Sequence, residues 1–112
     1  MRIAIPVAGG NVCPHFGHCE AFALIDVEAE GKTILGREEI AAPDHQPGLL
    51  PRWLAERGAN LIIAGGMGSR ARALFREQGI DVITGASMTD PESIVRAYLE
   101  GNLETGANIC DH

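Results

Sequence analysis

The sequence predicts one α/β domain built on a mixed five-stranded sheet with helices on both faces, in the order βββαβαβα. Three observations predict it. Three short strand-like runs fall within the first forty residues, and a glycine-centred turn separates the second from the third. From residue 49 onward, amphipathic helical stretches alternate with short, uniformly apolar runs. Gly58, Gly79 and Gly101 fall where the helical stretches stop. At 112 residues the chain can bury roughly two-thirds of its unfolded surface as a single domain. No internal repeat or long linker divides it.

The strands are expected at residues 3–7, 21–27 and 33–40, the last two joined by Glu30-Gly31-Lys32 as an antiparallel hairpin. A first helix at about residues 49–57 presents Leu50, Trp53 and Leu54 on one face and stops at Gly58. Pro51 is tolerated there because the first turn of a helix leaves its N–H groups without helical acceptors. Residues 60–64 form a fourth strand, apolar throughout its centre as a strand covered on both faces should be. The second helix opens with Ser69 as N-cap, sets Ala71, Leu74 and Phe75 at core spacing and ends at Gly79. Residues 80–84 form the fifth strand. The third helix opens with Asp90 as N-cap and Pro91 in its first turn, buries Ile94, Val95 and Tyr98, and ends at Gly101. Residues 102–112 are a polar tail.

Strands one, four and five should be parallel, linked by right-handed crossovers, with the hairpin extending one side of the sheet. Ligands of such sheets bind beyond the carboxyl ends of the parallel strands. The loops leaving those ends are residues 13–19, 65–70 and 85–90, so segments far apart in sequence should become neighbours.

Two of the loops carry chemistry. Cys13-Pro14-His15-Phe16-Gly17-His18-Cys19, with the terminal Cys110-Asp111-His112, holds all three cysteines and three of the four histidines. Thiolate and imidazole select zinc, copper and iron–sulfur species, which makes Cys13, His15, His18, Cys19, Cys110 and His112 candidate metal ligands. The spacing is not that of a zinc finger. The bland alternatives are thiols packed as small hydrophobes and, for His45 beside Asp44, a local hydrogen bond. The eleven-residue tail reaches up to about 36 Å when extended, enough to bring Cys110 and His112 back to the loop edge. The alternative is a terminus whose thiol is incidental.

The other loop is Gly65-Gly66-Met67-Gly68-Ser69-Arg70. Its glycines allow close backbone approach to a ligand, and the following helix start directs free N–H groups and positive dipole into the cleft. Arg70 and Arg72 add positive charge, so residues 65–70 are a candidate anion cradle. A tight turn without a ligand is the alternative; the loop matches neither a P-loop nor a dinucleotide fingerprint.

The formal net charge of −6 argues against nucleic acid and anionic membrane as partners. The longest apolar runs are about five residues, against the ~20 that a bilayer requires. Three cysteines cannot close a disulfide framework without a partner. The N-terminal segment lacks the features of a signal peptide, so a cytoplasmic setting with reduced thiols is expected.

The Arg-Ile-Ala-Ile-Pro-Val strand at 2–7, Pro14-His15-Phe16-Gly17, Ala64-Gly65-Gly66-Met67-Gly68 and Gly101-Asn102-Leu103 together resemble the dinitrogenase iron–molybdenum cofactor biosynthesis family. That family includes cofactor carrier domains and a small orange protein holding a molybdenum–copper sulfide cluster. The resemblance spans nearly the whole chain. It implies a ribonuclease-H-like, three-layer α/β fold and non-enzymatic binding of an anionic metal–sulfur cluster, of molybdenum with iron or copper. It also implies cluster donor and acceptor proteins as partners. The match carries His15 and residues 65–68 over as cluster-facing positions. Cys13 stands where many members have serine, and the Cys-Asp-His ending resembles a stand-alone subgroup. Two other readings compete: a zinc-binding structural or regulatory module using the same ligands, and an RNase-H-type nuclease suggested by the fold alone. Two-metal phosphoryl chemistry wants clustered carboxylates, and Asp26 has no evident companion.

Overall fold

The computed structural model describes residues 1–13, 19–28, 30, 32–43, 49–86, 90–101 and 103. In chain order the elements are β1 (Arg2–Ala8), β2 (Asn11–Val12), β3 (Ala21–Glu28), β4 (Thr33–Ala41), α1 (Leu49–Glu56), β5 (Leu61–Ile63), α2 (Ser69–Glu77), β6 (Asp81–Ile83) and α3 (Pro91–Glu100). The sheet runs β4-β3-β1-β5-β6, parallel across β1, β5 and β6 and antiparallel across β1, β3 and β4. These are the five expected strands in the expected mixed arrangement.

The sixth strand, β2, was not anticipated. Gly9 and Gly10 take φ of +61° and +85°, the two-residue hairpin turn that glycine makes at no steric cost. They return the chain so that Val12 lies opposite Val7. The parallel register of β1 with β5 covers Ile3 and Ala4. Pro6, with no N–H to give a ladder, falls beyond it.

Every residue from Ile3 to Val7 is buried, because both faces of β1 are covered. Ile3, Ile5 and Val7 pack with Ile94, Val95 and Leu99 of α3. Ala4 faces the other way, into a cluster with Leu50 and Leu54 of α1 and Phe75 of α2. The result is three layers. On the free edge β4 carries Arg37, Glu38 and Glu39, all exposed, a charged row that discourages edge-to-edge pairing.

Two helix details differ from expectation. The N-cap of α2 is Gly68, and its side-chain-free position leaves no cap hydrogen bond. The Gly68 carbonyl already accepts from the Arg72 N–H at 3.1 Å, so the first turn closes one residue early and Ser69 is inside it. On α3 the third core residue is Leu99, while Tyr98 is half-buried; Leu99 follows Val95 at i+4, nearer the centre of the buried stripe. Asp90 caps α3 as expected, accepting from the Ser93 N–H at 3.0 Å, and Gly101 ends it at φ +75°.

At the amino end of β1, Arg2 ties four segments together. Its guanidinium donates to both Asp26 carboxylate oxygens at 2.7 and 3.2 Å and to the Arg57 carbonyl at 2.7 Å, and its N–H donates to Asn60 Oδ1 at 2.8 Å. The hydrogen-bonded guanidinium holds the Asp26 carboxyl below the usual carboxylate range.

Candidate functional site

The opposite pole, at the carboxyl ends of β1, β5 and β6, is built on backbone anchors. The Cys13 N–H donates to the Pro6 carbonyl and the Glu20 N–H to the Val7 carbonyl, each at 2.9 Å. The cysteine motif therefore begins and ends on consecutive residues of β1. Because successive strand carbonyls point to opposite sides, Cys13 and Glu20 are anchored on opposite sides of the central strand. The Ala42 N–H reaches the Glu20 carbonyl at 3.0 Å, and the Gly9 N–H donates to the Glu20 carboxylate at 2.7 Å. Sequence reasoning did not single out Glu20; its place immediately after Cys19, opposite the Gly9-Gly10 turn, was the available signal. Across the edge, the Gly85 N–H donates to the Gly65 carbonyl at 2.8 Å and the Ala86 N–H to the Ala64 carbonyl at 3.2 Å. The glycine loop is thereby pinned to the segment after β6.

Cys13 is buried and Cys19 half-buried, each a thiol outside any disulfide. Cys19 packs against the cluster that contains Ala64, Met67 and Phe75, which brings the first loop to the second. Burial, with the neighbouring Cys13 adding to it, pushes the Cys19 thiol up to about 11. A thiol held protonated is a poor nucleophile, since the thiolate is the reactive form. Alkylation of Cys19 by iodoacetamide in the metal-free protein should therefore be slow at pH 8 and rise with a midpoint near 11, measured by mass spectrometry of the labelled peptide. A midpoint near 8.5, the value of an unperturbed cysteine, would show an open thiol instead.

In the second loop Gly65, Gly66 and Met67 are buried, Gly68 is half-buried, and Ser69 and Arg70 are exposed. The Met67 side chain belongs to the core and anchors the loop from below. The first turn of α2 has no acidic residue and no side-chain cap, whereas Asp90 closes the start of α3. The open N–H groups of α2 thus lie beside the glycine loop, available to an anion.

The structure brings Cys13, Cys19 and residues 65–70 to one edge. His15, His18, Cys110 and His112, like His45 and the tail from 104 onward, lie outside the described residues. Among the described residues no three His, Cys, Asp or Glu side chains group to hold a metal ion.

These features define a small α/β domain with two cysteine thiols and an uncapped helix start at the carboxyl ends of its parallel strands. The chain belongs to the Dinitrogenase iron-molybdenum cofactor family, which matches residues 1–101, and its layering is the ribonuclease-H-like one that the resemblance implied. It is 33% identical over 110 residues to "Uncharacterized protein MJ0580" of Methanocaldococcus jannaschii, covering 93% of this chain and 90% of that protein. It is similar to the crystal structure of PH0822, with a TM-score of 0.88 and 31% identity over 96% of each chain. The apo form of the orange protein of Desulfovibrio gigas matches with a TM-score of 0.72 and 25% identity, over 96% of this chain and 93% of that one. Family membership points to a metal-cluster-binding role. No described helix is long and apolar enough to cross a membrane.

Proposed function

We propose that this protein binds and carries an anionic metal–sulfur cluster, of molybdenum with iron or copper, and catalyses no reaction on it. The observation that supports this most is the juxtaposition, in a chain of this family, of Cys13 and Cys19 with the glycine loop and the open start of α2. Sulfur ligands suit soft metals, and amide donors and Arg70 balance cluster charge. His15, His18, Cys110 and His112 would complete the ligand set, and donor and acceptor proteins would load and unload the cargo. The nuclease reading is disfavoured because Asp26 is engaged by Arg2 at the far pole.

Anaerobic titration with tetrathiomolybdate, with and without copper(I), tests the proposal. Stoichiometric binding with visible absorbance is expected. A colourless protein that retains zinc against a chelator and ignores thiomolybdate would replace the carrier reading with the zinc module. Arg70→Glu should weaken thiomolybdate binding about tenfold, equivalent to about 1.4 kcal/mol. The same substitution should stabilise α2 by about 0.3–1 kcal/mol, because a carboxylate suits a helix start. Equal affinity in titrations of the two proteins would remove Arg70 from the site.

A further inference from the structure

The charges of this chain are segregated by layer. Residues 49–79, which supply α1 and α2, carry five of the nine lysines and arginines and two of the fifteen carboxylates. That makes a local net charge of +3 within a chain of −6. Both helices pack on the same face of the sheet, over the cluster of Leu50, Leu54 and Phe75.

The arginines of the two faces are used differently. Away from this layer, Arg2 pairs with Asp26 at 2.7 Å, Arg37 with Glu92 at 3.3 Å and Arg96 with Glu92 at 3.9 Å. On the α1/α2 layer, Arg57 lies over the Trp53 ring at 3.9 Å. Arg52, Arg70 and Arg76 are exposed and have no carboxylate partner among the described residues.

Their positions also run against local preference. Arg52 is the fourth residue of α1 and Arg70 the second of α2, and neither helix has an acidic residue in its first turn. A helix start carries positive partial charge, so cations there destabilise it and carboxylates are favoured. α3 follows that preference with Asp90 and Glu92. A chain with fifteen carboxylates that places arginine at two helix starts departs from it, and such departures concentrate at functional surfaces.

From this segregation we infer that the α1/α2 face, through Arg52, Arg70 and Arg76, is a docking surface for an acidic protein. Resting on the carrier reading above, that protein is the one that exchanges cargo at the adjoining edge, where α2 begins. Uncommitted surface arginines steer an oppositely charged partner into register and raise the rate of encounter. A protein surface fits better than a nucleic acid. Three cations would neutralise few phosphates, whereas an acidic protein can present a few carboxylates placed to match them.

A fluorescent poly-glutamate peptide serves as the probe, followed by anisotropy at low salt. Wild type should bind it, with affinity falling as salt is added, and Arg52→Glu/Arg76→Glu should bind about tenfold more weakly. Arg96→Glu, on the opposite layer, should bind like wild type. Thiomolybdate titration of the same variants, with Arg70 intact, should match wild type. If neither wild type nor any variant binds thiomolybdate while the peptide still discriminates, the docking face stands and the carrier reading falls. Equal peptide affinity for wild type and the Arg52/Arg76 variant would overturn the docking face. So would tighter binding of a single-stranded oligonucleotide of equal charge.

Discussion

Phe75→Ala is expected to destabilise the fold by about 3–5 kcal/mol, the range for deleting a buried aromatic side chain. Phe75 is fully buried and is the one buried residue of α2. It sits among Leu50, Leu54, Ile62, Met67 and Ile80, so a cavity there borders α1, β5 and the glycine loop together. The nine-residue helix is too short to persist without tertiary packing. Urea denaturation measures the loss, and a change below about 1 kcal/mol would mean that α2 is held by something else.

Cys13→Ser/Cys19→Ser should accelerate loss of bound thiomolybdate–copper cluster more than the about 10–100-fold that removal of an outer-shell partner costs. A hydroxyl keeps nearly the size of the thiol but is a hard, weak ligand for these metals. Cys19→Ser alone should leave the fold intact, since Cys19 is half-buried. Because its thiol is pushed up to about 11, coordination at neutral pH must release its proton. Affinity should therefore climb by up to about tenfold per pH unit until that value is approached. Release to a chelator, followed by absorbance, reads both effects. A double variant that holds cluster as tightly as wild type, at every pH, would leave amides and Arg70 as the binding groups.

What the sequence revealed divides along physical lines. Elements with long-range periodicity were visible: the apolar run of β1, the core spacing of Phe75 and the Asp90–Pro91 opening of α3 each follow from one local rule. β2 was not, because two residues carry no periodicity; only the Gly9-Gly10 pair hinted at a hairpin. Ser69 looked like a cap because its type suits one, yet the first turn closes on the Gly68 carbonyl, which residue preference does not register. For the site, the topological rule alone puts the loops that hold Cys13, Cys19 and residues 65–70 at one edge. The contribution of Glu20 depends on a carboxylate meeting an amide eleven residues away, which spacing alone does not reveal.

The central place of β1 also shapes the order in which the newly made chain can fold. The first eight residues form the middle of the sheet. Their antiparallel neighbours are complete by residue 41, while the parallel partner on the other side begins at Leu61. During synthesis β1 therefore has one paired flank and one waiting flank, a situation that favours wrong associations between nascent chains. The second half of that waiting flank is already occupied: β2 pairs back onto Val7 and Ala8, and Pro6 offers no donor. Only the stretch around Ile3 and Ala4, where β5 will dock, is left open until residues 61–63 leave the ribosome.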